Sequence, residues 1–278
     1  MHPLYAAMPT TVFEHYSARA RETGAINLGQ GFSDSNGPPD VVAEAARALT
    51  GRSNQYPPSR GVPELREAVA EHYRRHQDLD LSAEEVTVTS GATEALAAAI
   101  MALVSPGDEV VLFQPLYDAY LPLVLRAGGV PRFVRLAPPD WRITAAALDS
   151  AFSDRTRVVI LNTPLNPAAT LITTEELVLL AERVVAGNAV IISDEVWEHV
   201  VFDGARHLSP LHLPELRKRT VKIGSAGKIF SLTGWKVGWM CAAPELAVPL
   251  ARAHQFLTFT TPPNLQAAAA YGLGKDDA

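Results

Sequence analysis

The sequence predicts an α/β fold, a mainly parallel sheet sandwiched by helices, and three observations carry that expectation. Short β-branched runs alternate along the chain with longer segments of helical period. Turn-forming residues punctuate the places where strands should end. The 278 residues are 47% hydrophobic and only 19% charged, enough apolar material for a large core and too much for disorder.

In chain order, Thr10 to Glu22 has a helical pattern, Ile26-Asn27-Leu28 is extended, and Gly29 to Pro39 is a Gly/Pro-rich loop. Glu85 to Thr89 reads as a strand leading into an alanine-rich helix from Ala92 to Val104. Glu109 to Phe113 leads likewise into a helix from Tyr117 to Arg126, Arg157 to Leu161 precedes one from Thr174 to Val185, and a strand from Ala189 to Ser193 follows. A further strand ends in small residues just before Lys228, and Pro263 to Leu273 reads as a last helix before Gly274-Lys275-Asp276-Asp277-Ala278. Alternation of this kind builds crossover units, and in an open α/β sheet ligands bind beyond the carboxyl ends of the strands. The tips Ser90-Gly91, Gln114-Pro115, Asn162-Thr163-Pro164, Asp194-Glu195 and Ser225-Ala226-Gly227 should therefore share one crevice.

The net charge of −6, with 24 scattered basic residues, argues against a nucleic-acid partner. Cys241, the single cysteine, cannot form an internal disulfide, and no Cys/His cluster has metal-ligand spacing, so no metal is expected. The longest apolar run, Ala95 to Val104, is too short to span a bilayer, and the start lacks a signal-peptide pattern. A cytoplasmic, reducing location is the expectation. Only five residues are lysine, Lys218, Lys222, Lys228, Lys236 and Lys275, so amine chemistry has few candidates.

Lys228 follows a strand end and is flanked by apolar groups, where an amine loses its proton more readily and can attack a carbonyl to give a Schiff base. In isolation the segment equally suits a solvated loop lysine. Asp194 ends the apolar run Ile191-Ile192-Ser193 and is either a turn cap or a partner for a cationic ring. Pyridoxal phosphate needs a lysine for its aldehyde and a carboxylate for its ring nitrogen. Ala92 and Thr93, after Gly91 at a helix start, offer backbone N–H groups to a phosphate, or serve only as close packing. Ser225 and Lys236 could add a hydroxyl and a charge, although Lys236 equally reads as a surface residue. Asn162 and Asn166 lie four apart in a Pro-containing loop, where an amide could donate to a phenolic oxygen or simply form turns. Tyr117 could stack on a planar ring or sit in the core.

Together and in order, six segments resemble the class I/II aminotransferases, the fold type I pyridoxal-phosphate enzymes, and within them the subgroup of kynurenine, glutamine and methionine aminotransferases and cysteine-conjugate β-lyases. They are Asn27-Leu28-Gly29-Gln30-Gly31-Phe32, Asn54-Gln55-Tyr56, Thr89-Ser90-Gly91-Ala92-Thr93-Glu94-Ala95, Asn162-Thr163-Pro164-Leu165-Asn166-Pro167, Ser193-Asp194-Glu195-Val196, and Gly224 to Lys228 continuing to Trp239. The likeness extends from about Thr10 to the last residue.

The resemblance implies the cofactor pyridoxal 5'-phosphate, bound to Lys228 as a Schiff base, with Lys228 then acting as the base of a proton shift. It implies Asp194 at the ring nitrogen, Asn166 at the ring hydroxyl, and Tyr117 stacked on the ring. Ala92, Thr93, Ser225 and Lys236 would hold the phosphate, joined by Tyr56 from the second subunit of a homodimer. Gly31 would offer its N–H to the substrate carboxylate, Asn166 would also face the substrate, and Phe13 would line the side-chain pocket. The implied reaction moves an amino group from an apolar or aromatic L-amino acid to a 2-oxo acid. A β-lyase, or a truncated inactive relative kept as a dimerisation module, are the alternatives. Residues 1–40 are expected to form the substrate-side part of a small domain and residues 41–278 the cofactor-binding domain.

The sequence departs from the pattern in four places. Trp197 stands where the resemblance calls for tyrosine, Ala168-Ala169-Thr170 replaces a Thr-Gly-Lys-like loop, and Ser33 replaces a proline. The C-terminal small domain, with an arginine that grips the substrate carboxylate, is expected to be absent.

Overall fold

The computed structural model describes residues 1–275, so Asp276, Asp277 and Ala278 lie outside the described residues. A short helix α1 (Pro3–Ala6) and α2 (Val12–Thr23) open the chain. The Thr11 hydroxyl caps α2 by accepting from the Glu14 N–H, and Gly24 ends it in the left-handed conformation. The extended stretch at Ile26 to Leu28 finds no sheet partner among the described residues, and its apolar side chains face solvent, Leu28 at 90% exposure. Next come α3 (Pro39–Gly51) and α4 (Pro63–Gln77), each started by a proline whose missing N–H costs a helix nothing at its first turn.

The sheet begins with β1 (Val86–Thr89), after a 3₁₀ turn that takes Glu85 out of the expected strand. It is followed by α5 (Gly91–Leu103), β2 (Glu109–Gln114), α6 (Tyr120–Arg126), β3 (Val130–Arg135), α7 (Ala145–Ala151), β4 (Thr156–Asn162), α8 (Thr174–Ala186) and β5 (Val190–Asp194). The rest is β6 (Thr220–Ser225), a single turn α9 (Ala226–Ile229), β7 (Gly238–Ala242), α10 (Pro244–Gln255) and α11 (Pro263–Leu273). Helix α6 starts three residues later than its apolar pattern suggests, which leaves Tyr117 in the connection beyond β2.

The seven strands form one sheet in the order β1-β7-β6-β5-β4-β2-β3. Neighbours from β6 to β3 pair in parallel, while β7 is antiparallel to both β1 and β6. Six strands therefore share a direction, and their carboxyl ends lie along one edge. Alternation along each strand splits the core between two faces. Val221, Ile223, Ile192 and Ile160 pack toward α5, α6 and α10. On the opposite face, Val159, Leu161 and Ile191 pack with α7 and α8, and Trp239 and Cys241 with α4 and α11.

Candidate active site

A cavity of about 180 Å³ opens at the strand ends, and eight of the residues expected from the sequence line it: Ala92, Thr93, Tyr117, Asn166, Asp194, Ser225, Lys228 and Lys236. An adjoining cavity of about 530 Å³ shares Thr93, Tyr117, Asn166, Trp197 and Lys228, and adds Gly31 and Phe13. Tyr56 lines neither. It is 84% exposed, with its ring edge-on to Phe259.

Each wall has a local cause. Gly91 adopts φ +77°, open to glycine at little cost, and turns the chain from β1 into α5. A Cβ there would lie 3.1 Å from Lys236 Cε and Nζ, and one on Gly238 would lie 2.9 Å from the Ala92 nitrogen. The helix start is thus pressed between a lysine and a strand, and its residues Ala92 and Thr93 line the cavity, so a helix N-terminus of the kind that suits a dianion opens on it. Behind it the Glu94 carboxylate accepts from the Ser90 N–H at 2.8 Å and from His254 Nδ1 at 2.8 Å, and His254 Nε2 donates to the Ser59 carbonyl at 2.7 Å. Burial opposes charge on His254, but these two acceptors outweigh it and raise its pKa.

Asn162 serves the backbone. Its amide donates to the Asp194 carbonyl at 2.9 Å and accepts from the Asn166 N–H at 2.7 Å, tying the β4 and β5 tips together and leaving Asn166 to face the cavity.

Asp194 is buried, and one partner was not foreseen from the sequence: the Tyr120 hydroxyl donates to its Oδ2 at 2.6 Å. Burial raises the carboxyl's pKa against the Tyr120 O–H and the Val196 N–H, which favour the charged form. Tyr120 lies one turn beyond Tyr117, and only that spacing hinted that both could reach one site. Lys228 is half-buried and its pKa is lowered by desolvation, with Asp194 opposing the shift and Lys236 adding to it. Its Nζ donates to the Gly31 carbonyl at 2.8 Å. Gly31, expected to offer an N–H, thus presents its carbonyl here.

Among the described residues one acidic and histidine set, Glu195, Glu198 and His207, is close enough to gather a cation. The Lys222 ammonium already contacts both carboxylates. Among the described residues no helix is long and apolar enough to cross a membrane.

The family model "Aminotransferase class I and II" matches residues 23–278. The chain is 46% identical over 272 residues to the probable N-succinyldiaminopimelate aminotransferase DapC of Mycobacterium tuberculosis, covering 97% of this chain and 68% of the relative. It is 42% identical to the methionine aminotransferase of Escherichia coli, over 94% of this chain and 68% of that one. The structure of the M. tuberculosis N-succinyldiaminopimelate aminotransferase superposes with a TM-score of 0.96 at 44% identity, over 100% of this chain and 73% of the other. The chain belongs to the class I and II aminotransferases, enzymes that use pyridoxal 5'-phosphate.

The residues present fit that cofactor. A buried carboxylate at the cavity, bonded by a neutral phenol, suits a ring cation, and the Gly91 turn with Lys236 suits a phosphate.

Proposed function

We propose that this aminotransferase moves the amino group of an apolar or aromatic L-amino acid to a 2-oxo acid, with Lys228 as the amine that anchors the cofactor. The observation that carries this reading is the cavity beside Lys228, walled by Met8, Phe13, Phe32, Leu123 and Trp197. Such a wall favours an apolar side chain by the area it removes from water. Relatives named for methionine and kynurenine transamination support it, whereas the one named for N-succinyldiaminopimelate points to a different donor.

Pyridoxal 5'-phosphate, when bound, supplies an aldehyde and a ring that accepts electrons. Lys228, its pKa lowered by burial, provides a nucleophilic amine and then carries the proton at Nζ. Asp194 would keep the ring nitrogen protonated through its carboxylate, which the Tyr120 hydroxyl keeps oriented. Asn166 and Tyr117, both lining the cavity, would hold the cofactor's ring, Asn166 through its side-chain amide and Tyr117 through its own ring. Ala92, Thr93, Ser225 and Lys236 would hold its phosphate. In this reading residues 1–40 would form the substrate side, with Phe13 and Gly31, and residues 41–278, of which 276–278 lie outside the described residues, the cofactor-binding domain. The exposed Tyr56 would complete the phosphate site of a second copy in a homodimer.

The test is borohydride reduction of the chain mixed with pyridoxal phosphate, peptide mapping, and 2-oxo acid release from a panel of donors. Label on Lys228, with phenylalanine, methionine or kynurenine turned over at least roughly tenfold faster than aspartate, is expected. Label spread over the other lysines would overturn the anchor. N-succinyldiaminopimelate or aspartate as the best donor would overturn the side-chain class.

A further inference from the structure

Two groups distant in sequence hold the Lys228 amine. Its Nζ donates to the Gly31 carbonyl at 2.8 Å and stands 4.4 Å from the centroid of the Trp197 ring. A Cβ built on Gly31 would lie 2.9 Å from Trp197 Cζ2 and 3.9 Å from Lys228 Nζ, so Gly31, the indole and the amine pack as one unit. Trp197 and Lys228 both line the cofactor-side and the substrate-side cavities, which puts this unit on the wall between them.

A carbonyl oxygen and an indole face both attract positive charge, and neither takes up a proton near neutral pH. The other groups around the amine are mixed. Asp194 at the end of β5 favours the ammonium, Lys236 before β7 opposes it, and Tyr117 before α6 brings a neutral phenol to the same cavity.

We propose that Trp197 is a positioning residue: with the Gly31 carbonyl its indole face forms a cation seat for the Lys228 ε-ammonium, and this seat sets the pH at which the amine becomes a nucleophile. The seat offsets part of the cost of desolvating the charge and holds a proton within reach of both cavities. It also gives Gly31 a reason to be glycine, because a methyl there would meet the indole. The proposal rests on Lys228 being the reactive amine, and it concerns the amine before any cofactor arrives.

Five lysines make the test direct. The full chain is prepared without cofactor, with carbon-13 lysine, and its Cε and Hε signals are followed against pH by NMR. The Lys228 signal is the one lost in Lys228→Met. In the unsubstituted chain the Lys228 Hε protons should resonate upfield of those of the solvent-exposed Lys218, shifted by the indole ring current. Trp197→Leu should lower the Lys228 midpoint by roughly half to one pH unit, about three- to tenfold in the ionisation constant, and Trp197→Phe should recover most of it. An Hε signal beside that of Lys218 would overturn the seat even if no variant folds. So would a Trp197→Leu midpoint unchanged in a folded chain, or a Trp197→Phe midpoint as low as that of Trp197→Leu. Cofactor capture is read separately by borohydride mapping, so loss of capture with these shifts intact would count against the function and leave the seat standing.

Discussion

Lys222 and Lys228 lie six residues apart around the end of β6, and the molecule treats them in opposite ways. Lys222, inside the strand, points away from the cofactor side and is fully buried. Its ammonium contacts Glu195 and bonds Glu198 at 2.6 Å, and it lies 4.5 Å from the Tyr73 ring centroid. Glu195 also accepts from His207 at 2.6 Å and Ser209 at 2.9 Å, and Glu198 from Gln77 at 2.6 Å and Tyr73 at 3.0 Å. Burial works against its charge, yet the two carboxylates outweigh it and raise its pKa. Lys228, just past the strand, meets one carbonyl and one ring, and its pKa falls. A lysine enclosed by carboxylates serves the fold; one left half-open beside a cavity is available for chemistry.

Substitution separates the two most sharply. Lys222→Met strands two buried carboxylates and should cost about 3–5 kcal/mol of stability, the expense of breaking a buried ion pair from one side. Lys228→Met removes one carbonyl bond and one ring contact at a half-exposed site and should change stability by about 1 kcal/mol or less, while abolishing capture of the cofactor. Urea unfolding of both variants, followed by circular dichroism, checks the contrast. Equal losses would mean that the buried network does not hold the sheet.

Acid gives the next effect. Burial would raise the Glu195 carboxyl, but Lys222 and His207 outweigh it and hold its pKa down to about 2, below the ordinary 4.5. A group depressed on folding contributes stability above its unfolded pKa and loses it as pH falls toward the folded one. Stability should therefore drop by roughly 3 kcal/mol between pH about 4.5 and about 2, with a shallower slope in Lys222→Met. The urea midpoint measured across that range decides it, and equal slopes in the two proteins would detach Glu195 from Lys222.

The same contrast explains what the sequence could reveal. Strands and helices such as Val86 to Thr89 and Gly91 to Leu103 are legible because their periodicity is local. The site is legible because its residues sit at strand ends, where Asp194, Asn166 and Lys228 fall beside turn signals. The Lys222 network is not, since a lysine between valine and isoleucine reads as one solvent-facing position of an alternating strand, and nothing local places Glu198 beneath it. Asp194 and Glu195 are adjacent in sequence, yet one meets the cavity and the other the buried lysine, a division that only the sheet's two faces impose. Ile26 to Leu28 is extended as its residues suggest, but a ladder needs a partner and none is there among the described residues. Tyr56 has an expected role that depends on another copy of the chain.

Tyr120→Phe has the smallest expected effect and probes the open side of the comparison. The substitution keeps the ring and removes the O–H that donates to Asp194 at 2.6 Å, so the fold should lose only about 1 kcal/mol. The larger consequence is electrostatic. Burial already raises the Asp194 pKa and the Tyr120 bond restrains that rise, so without it the carboxyl should protonate at higher pH. A neutral carboxylic acid no longer pairs with a ring cation. Cofactor affinity should then fall roughly three- to tenfold as pH is lowered and recover as pH rises and Asp194 ionises again. Cofactor titrations at several pH values distinguish this from simple damage to the pocket, which would weaken binding equally at every pH.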